Sequence, residues 1–291
     1  MEMLLRLNRD YASLSWVHPK DGGLRLFDRN ATMTLRDIGG RTGSLKVDNR
    51  GQLILRGKSE TTSIDTTADF EVVDLRHSQS RGDQARWSAA FLNLLVDSVS
   101  GVASSFSIDR DALNLMDPGY TEPTDATLLP NGDEVAVTIV RSQHMAIVNF
   151  VTGETRLLNL AGSYGNSDAV VEEDALWVVN YDTFCRIDLE TLQVRASPKL
   201  QAQYRDPQYG LMTSAFVGVP RISPSLNGWL IPRPYSGDVL LVSKDALRPE
   251  RRLPCGGHPY AIVEFDEGDL LILNHPFDSF QTATIGQFVD L

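Results

Sequence analysis

Residues 122–160 read EPTDATLLPNGDEVAVTIVRSQHMAIVNFVTGETRLLNL, and the order of apolar runs and turn residues in this stretch decides the fold. Thr127–Leu129 leads into Pro130-Asn131-Gly132-Asp133, and Val135–Val140 then runs to a polar loop at Arg141–His144. Ala146–Phe150 ends at Thr152-Gly153-Glu154, and Thr155–Leu160 completes the unit. β-Branched runs bounded by Asn-Gly and Thr-Gly predict short strands joined by hairpins, because those turns need residues that tolerate positive φ.

The unit recurs in both directions. Downstream, the corresponding turns fall at Asp174-Ala175, Asn227-Gly228 and Glu267-Gly268; upstream they fall at Arg50-Gly51 and Gly22-Gly23. Gly228 and Gly268 are 40 positions apart, and Gly51 and Gly132 are 81 apart, which leaves room for one more unit at 84–117. Four strands repeating about every 40 residues is the spacing of β-propeller blades. The expectation is an all-β protein, a single closed β-propeller of seven four-stranded blades spanning 1–291. The blades run roughly over 11–40, 41–75, 76–120, 121–161, 162–200, 213–254 and 255–291, with the N-terminal strand in 1–8 completing the last one. Closure of that kind removes exposed sheet edges. Residues 80–99 also read as an amphipathic helix, so six or eight blades, or one degenerate blade, remain alternatives.

Composition bounds the function. With 42% apolar and 22% charged residues the chain is globular, and no run approaches the 18 or so apolar residues that a spanning helix needs. The net charge of −11 argues against nucleic acid as a partner, since phosphate neutralisation dominates that affinity. The first ten residues, MEMLLRLNRD, carry an acid where a secretion signal needs bases, and the apolar stretch breaks at Arg6. Cys185 and Cys255 are the only cysteines and read as free thiols of a reducing compartment, so a cytoplasmic location is expected.

LWVVNYD at 176–182, LLILNHP at 270–276 after HPYAIVEFDEGD, and EPTDATLLPNGDEVAVT resemble the YVTN and NHL type of propeller repeat. The resemblance covers 122–291 well and 1–121 poorly. It implies a propeller fold and leaves function open, since such repeats serve lactonases, lyases, cofactor-binding periplasmic proteins and scaffolds. No Trp-Asp dipeptide occurs, so the chain does not resemble the WD-repeat set.

Blade topology sorts the loops into two sets. Turns joining first to second and third to fourth strands are short and acidic: Asn131-Gly132-Asp133-Glu134, Gly153-Glu154, Glu172-Glu173-Asp174, Glu190 and Asp266-Glu267-Gly268. They read as solvated structural turns. The opposite set is longer and richer in Arg, Tyr, His and Phe, the residues that interface cores favour. It contains Arg141, His144, Arg233, Tyr235, His275 and Phe277, and the long connections 76–86 and 199–220, the latter with Tyr204, Arg205 and Tyr209. Alignment on the turns places Ser15, Ser44, Arg86, Asp125, Asp168, Arg221, His258 and Tyr260 at the central channel on that same side.

Two functions follow. The first is a non-catalytic scaffold that binds another protein through the loop-rich side and needs no cofactor. The second, implied by the resemblance, is a lactonase- or lyase-like enzyme using Asp125, Asp168 and His258, with a divalent cation such as Ca²⁺ on channel oxygens. Arg86 and Arg221 would oppose a cation there, and Asp–Arg pairs plugging the channel are the structural alternative. The histidines lack zinc-site spacing, and neither Gly-x-Ser-x-Gly nor a phosphate loop occurs, so no metal site is indicated from spacing.

Overall fold

The computed structural model describes residues 4–7, 9–14, 16–17, 23–40, 43–47, 53–56, 61–65, 71–73, 87–91, 94–97, 103–105, 123–139, 142–149, 151–160, 166–180, 182–200, 202–206, 210–214, 217–275 and 279–291. These residues form strands joined by tight turns, arranged in antiparallel sheets of mostly three to five strands. Contacts divide the chain into two compact units: Met1–Ala85 with Gly218–Lys244 and Pro249–Leu291, and Arg86–Val217 with Asp245–Arg248.

The first unit holds four sheets. Leu4–Arg6, Ala12–Leu14, Gly23–Phe27 and Met33–Asp37 form one, and Trp16–Val17 joins Gly43–Val47, Leu53–Arg56, Thr61–Asp65 and Glu71–Val73 in the next. Arg221–Ser223, Gly228–Arg233, Asp238–Ser243 and Pro249–Pro254 form the third, which Val289–Asp290 extends at Arg251 and Arg252. Pro259–Glu264, Asp269–Asn274 and Ser279–Thr284 make the last. In the second unit the 122–160 stretch folds as the sequence predicts, with Pro123–Leu128, Glu134–Ile139, His144–Asn149 and Thr155–Asn159 in chain order. Asn166–Glu172, Ala175–Asn180, Thr183–Asp188 and Val194–Ala196 repeat it. The turn at Asn131-Gly132 closes through Gly132 N–H to the Leu129 carbonyl, with Gly132 at φ 77°, the left-handed backbone that favours glycine.

Apolar residues collect between consecutive sheets. Leu129, Ala136, Met145 and Ile147 pack with Ala169, Leu176, Val178, Cys185 and Ile187; Leu230, Val239 and Leu241 pack with Ile262, Leu270 and Ile272. Every residue of Ala175–Asn180 is buried, so a strand covered on both faces reads as a continuous apolar run.

Three expectations are modified. The N-terminal strand pairs locally: a turn closed by Leu7 N–H to the Tyr11 carbonyl returns the chain so that Leu4 faces Leu14, and Leu4–Arg6 is an edge strand of the first sheet. Short loops close at less entropic cost than a pairing across the whole chain. In 80–99, Trp87–Phe91 pairs antiparallel with Leu94–Asp97 in place of a helix. The 199–220 connection contains a ribbon, Ala202–Asp206 against Gly210–Ser214. Among the described residues no helix is long and apolar enough to cross a membrane.

Candidate functional site

Five of the described candidates, Arg233, Tyr235, His258, Tyr260 and His275, converge at one end of two consecutive sheets in the first unit. Gly228–Arg233 and Asp238–Ser243 are joined by the turn Pro234–Gly237, and Arg233 and Asp238 face each other across its mouth. The Arg233 guanidinium grips Asp238 twice, Nε to Oδ1 at 2.8 Å and Nη2 to Oδ2 at 2.6 Å, with both side chains largely buried. This pair fixes the turn that carries Tyr235, whose ring is 39% exposed.

His258 precedes the first strand of the last sheet. Its Nδ1 lies 2.8 Å from the Pro234 carbonyl. A carbonyl oxygen only accepts, so Nδ1 carries a proton, and whenever the ring is neutral Nε2 is its acceptor. The Tyr235 and His258 rings are 6.4 Å apart at 58°. His275, after Asp269–Asn274, donates its backbone N–H to the His258 carbonyl at 2.8 Å, and its ring stands 6.2 Å from that of buried Tyr260. Each residue of the His258–His275 backbone bond thus carries one tilted ring pair.

The backbone beneath is tightly fitted. Gly218 donates to the Pro232 carbonyl and Val219 to that of Tyr260; a Cβ on Gly218 would stand 1.9 Å from the Tyr260 oxygen. The first strands of three sheets carry register shifts near their starts, between Pro123 and Asp125, Asn166 and Ala169, and Pro259 and Ala261. Asp168 and Tyr260 thereby fall on the irregular positions, a device that redirects residues at sheet margins.

The other described candidates lie on other elements. Arg221 donates to the Leu4 carbonyl at 3.2 Å and so ties its strand to the first sheet. His144 opens a strand of the second unit; its backbone N–H is held by the Ser142 hydroxyl, and burial lowers its imidazole below the ordinary value of 6.5. Asp125 stands opposite Thr138, Tyr204 opposite Met212 and Arg205 opposite Leu211, and Asp168 lies in Asn166–Glu172 within the register shift. Arg86, Arg141, Tyr209 and Phe277 lie outside the described residues. Among the described residues no group of three or more His, Cys, Asp and Glu side chains could hold a metal.

Sequence reasoning missed Asp238, and reads Cys255 only as a thiol of a reducing compartment. Asp238 was visible as the far end of Arg-Pro-Tyr-Ser-Gly-Asp, where a hairpin sets first and last residues opposite each other. Cys255 sits between Asp238 and the turn before His258, its N–H on the Gly237 carbonyl; burial, then the Asp238 charge, push its thiol up to about 12. Cys185 and Cys255 are both thiols, in neither case part of a disulfide.

No protein-family model and no curated protein matches the sequence. Solved structures do match in fold. The β-propeller domain of Cps50 (Swd1) from Myceliophteria thermophila is 13% identical with TM-score 0.63, over 98% of this chain and 97% of that one. An extracellular domain from B. thetaiotaomicron is 13% identical with TM-score 0.61, over 98% of this chain and 41% of the other. A 6-phosphogluconolactonase-like protein from Bacteroides fragilis is 10% identical with TM-score 0.55, over 100% and 95% of the two chains. The chain therefore has a β-propeller fold, and at such identities the likeness extends to the fold alone.

Proposed function

We propose that this chain is a closed, seven-bladed propeller that acts as a non-catalytic scaffold and binds another protein through its loop-rich side. The observation that carries the proposal is the exposed Tyr235 ring beside His258, on a turn pinned by the Arg233–Asp238 pair. Aromatic side chains on a rigid turn give contact area at low entropic cost, which is what interface anchors supply. Arg86, Arg141, His144, Tyr204, Arg205, Tyr209, Arg221, Tyr260, His275 and Phe277 belong to the same proposed side. Two cysteines in the thiol state support a cytoplasmic setting.

The test is affinity capture from the native lysate with wild type and with Tyr235→Ala/His258→Ala, with circular dichroism confirming that both fold. A stoichiometric protein captured by wild type and lost with the variant supports the proposal. Equal recovery of that protein by both overturns it.

One observation favours a lactonase- or lyase-like reaction as the alternative. With Nδ1 committed to Pro234, Nε2 of His258 is the proton acceptor, as a general base requires. That enzyme would draw on Asp125 and Asp168, with a divalent cation such as Ca²⁺, and Asp125→Asn would abolish turnover and metal retention. Retention of metal by Asp125→Asn at the wild-type level would remove this alternative.

A further inference from the structure

Three tight turns meet where the first sheet adjoins the last. Two belong to the first sheet: the Leu7–Tyr11 turn, and the Asp28–Thr32 turn, whose Asp28 carboxylate accepts the N–H groups of Asn30 and Thr32. The third spans Phe265–Asp269 and closes through Phe265 N–H to the Asp269 carbonyl. The charges that reach across are arginines from the first sheet and acids from the last, while the first sheet's own acids stay within their turns, Asp28 on backbone N–H groups and Asp10 3.8 Å from Arg9 Nε. Arg6 Nη2 lies 2.5 Å from Asp266 Oδ1, and Arg9 Nε lies 3.9 Å from Asp266 Oδ2. Arg29 Nη1 reaches Asp269 Oδ2 at 3.3 Å and Glu267 Oε2 at 3.5 Å.

These pairs join parts of the chain up to 260 positions apart, where no local chain connection assists the contact. The backbone bonds are spent elsewhere: Leu4–Arg6 pairs with Ala12–Leu14, and Pro259–Glu264 pairs with Asp269–Asn274. Apolar contact at the junction includes Phe27 and Phe280, with ring centroids 4.4 Å apart. The arginine and acid side chains are between about one-third and three-quarters exposed, so salt reaches them. Isolated exposed ion pairs contribute little, but a network of several is the arrangement in which such pairs count.

We propose that this arginine–carboxylate network is an electrostatic latch, and that the junction of first and last sheets is a salt-labile seam at which the first unit opens. Salt shortens the Debye length from about 14 Å near 0.05 M to about 3 Å at 1 M, which weakens the latch and leaves the apolar cores between the other sheets intact.

Amide hydrogen exchange of the full chain, read by mass spectrometry in NaCl at about 0.05 M and about 1 M, tests this. Ala12–Leu14, Gly23–Phe27, Met33–Asp37 and Ser279–Thr284 should exchange about fivefold faster in high salt relative to Glu134–Ile139 and Ala175–Asn180, the factor that roughly 1 kcal/mol represents. Asp266→Asn/Asp269→Asn should exchange at the fast rate already in low salt and respond little to more. If the double variant does not fold, Arg29→Glu should open the seam and Arg29→Glu/Asp269→Lys should restore protection. Seam strands that keep pace with the reference strands at both salts, a double variant with wild-type protection, or a charge swap without recovery would each overturn the proposal.

Discussion

Arg233 and Asp238 are cross-strand partners at the mouth of a hairpin, joined by two charge-assisted hydrogen bonds of 2.8 and 2.6 Å, with the carboxylate 6% and the guanidinium 15% exposed. The planar fork of arginine matches a carboxylate in this way, whereas lysine offers a point charge. The pair holds the Pro234 carbonyl in place for His258 and the Tyr235 ring in place beside it.

Removing one partner leaves the other charge mostly desolvated. Asp238→Ala should therefore cost about 3 kcal/mol, at the lower end for broken buried pairs because Arg233 keeps some exposure. Urea unfolding should show a lowered midpoint, and Arg233→Lys should recover less than half of the loss from Arg233→Ala. Equal stability of Asp238→Ala and wild type would show that the pair is incidental to the turn.

Cys255 should be chemically quiet. Burial, with the Asp238 charge second, raises its thiol from 9.0 to about 12, so almost none is thiolate at pH 8. Native protein should react with iodoacetamide at that pH far more slowly than urea-unfolded protein, in which both cysteines are accessible. The raised value also sets a sign: the stabilisation is fully present below the unfolded value and is lost as pH rises through the folded one. Alkylation of native Cys255 at the unfolded rate would contradict this placement.

How much was visible beforehand depends on how local the cause is. Asn131-Gly132 between β-branched runs specified its hairpin, and the continuous run Ala175–Asn180 signalled a strand buried on both faces, since both effects act within a few residues. The repeat pattern places the N-terminal strand in the last blade, whereas Leu4–Arg6 folds back on Ala12–Leu14, because the choice between two edges depends on three-dimensional competition absent from a repeat pattern. The acidic turn at Asp266-Glu267 reads as solvated in the sequence, since its partners Arg6, Arg9 and Arg29 lie some 240 to 260 positions away. At the site, Tyr235, His258 and His275 were legible as loop residues of one set. Their spacing and the tautomer of His258 were not, because these follow from Asp238 and the Pro234 carbonyl.

Gly218 is an inconspicuous residue with a demanding position. An added Cβ would stand 1.9 Å from the Tyr260 carbonyl oxygen and 2.7 Å from its carbon, backbone atoms that cannot rotate away. Gly218→Ala should cost about 2–3 kcal/mol, the upper range for overpacking, and should also move the Tyr260 ring relative to His275. The check is a thermal melt paired with the His275 imidazole chemical shift. A variant that melts with wild type and leaves that shift unchanged would rule out the close approach.

Asp266 offers the clearest pH dependence. The Arg6 hydrogen bond, which outweighs desolvation, the next largest effect and an opposing one, and is assisted by the charges of Arg6, Arg9 and Arg29, holds its carboxyl below the ordinary value of 3.8. A depressed folded value means that the contribution is fully present above the unfolded value and is lost as pH falls through the folded one. Asp266→Asn lacks this contribution at every pH. The stability gap between wild type and Asp266→Asn, measured by urea unfolding, should therefore be constant from pH 7 to 5. It should still be open at 3.8, where an ordinary aspartate is half protonated, and close only at lower pH as wild type loses the charge. High salt should narrow the gap at neutral pH, because these groups are exposed to solvent. A gap that widens as pH falls would mean that Arg6 and Asp266 do not interact as an ion pair in solution.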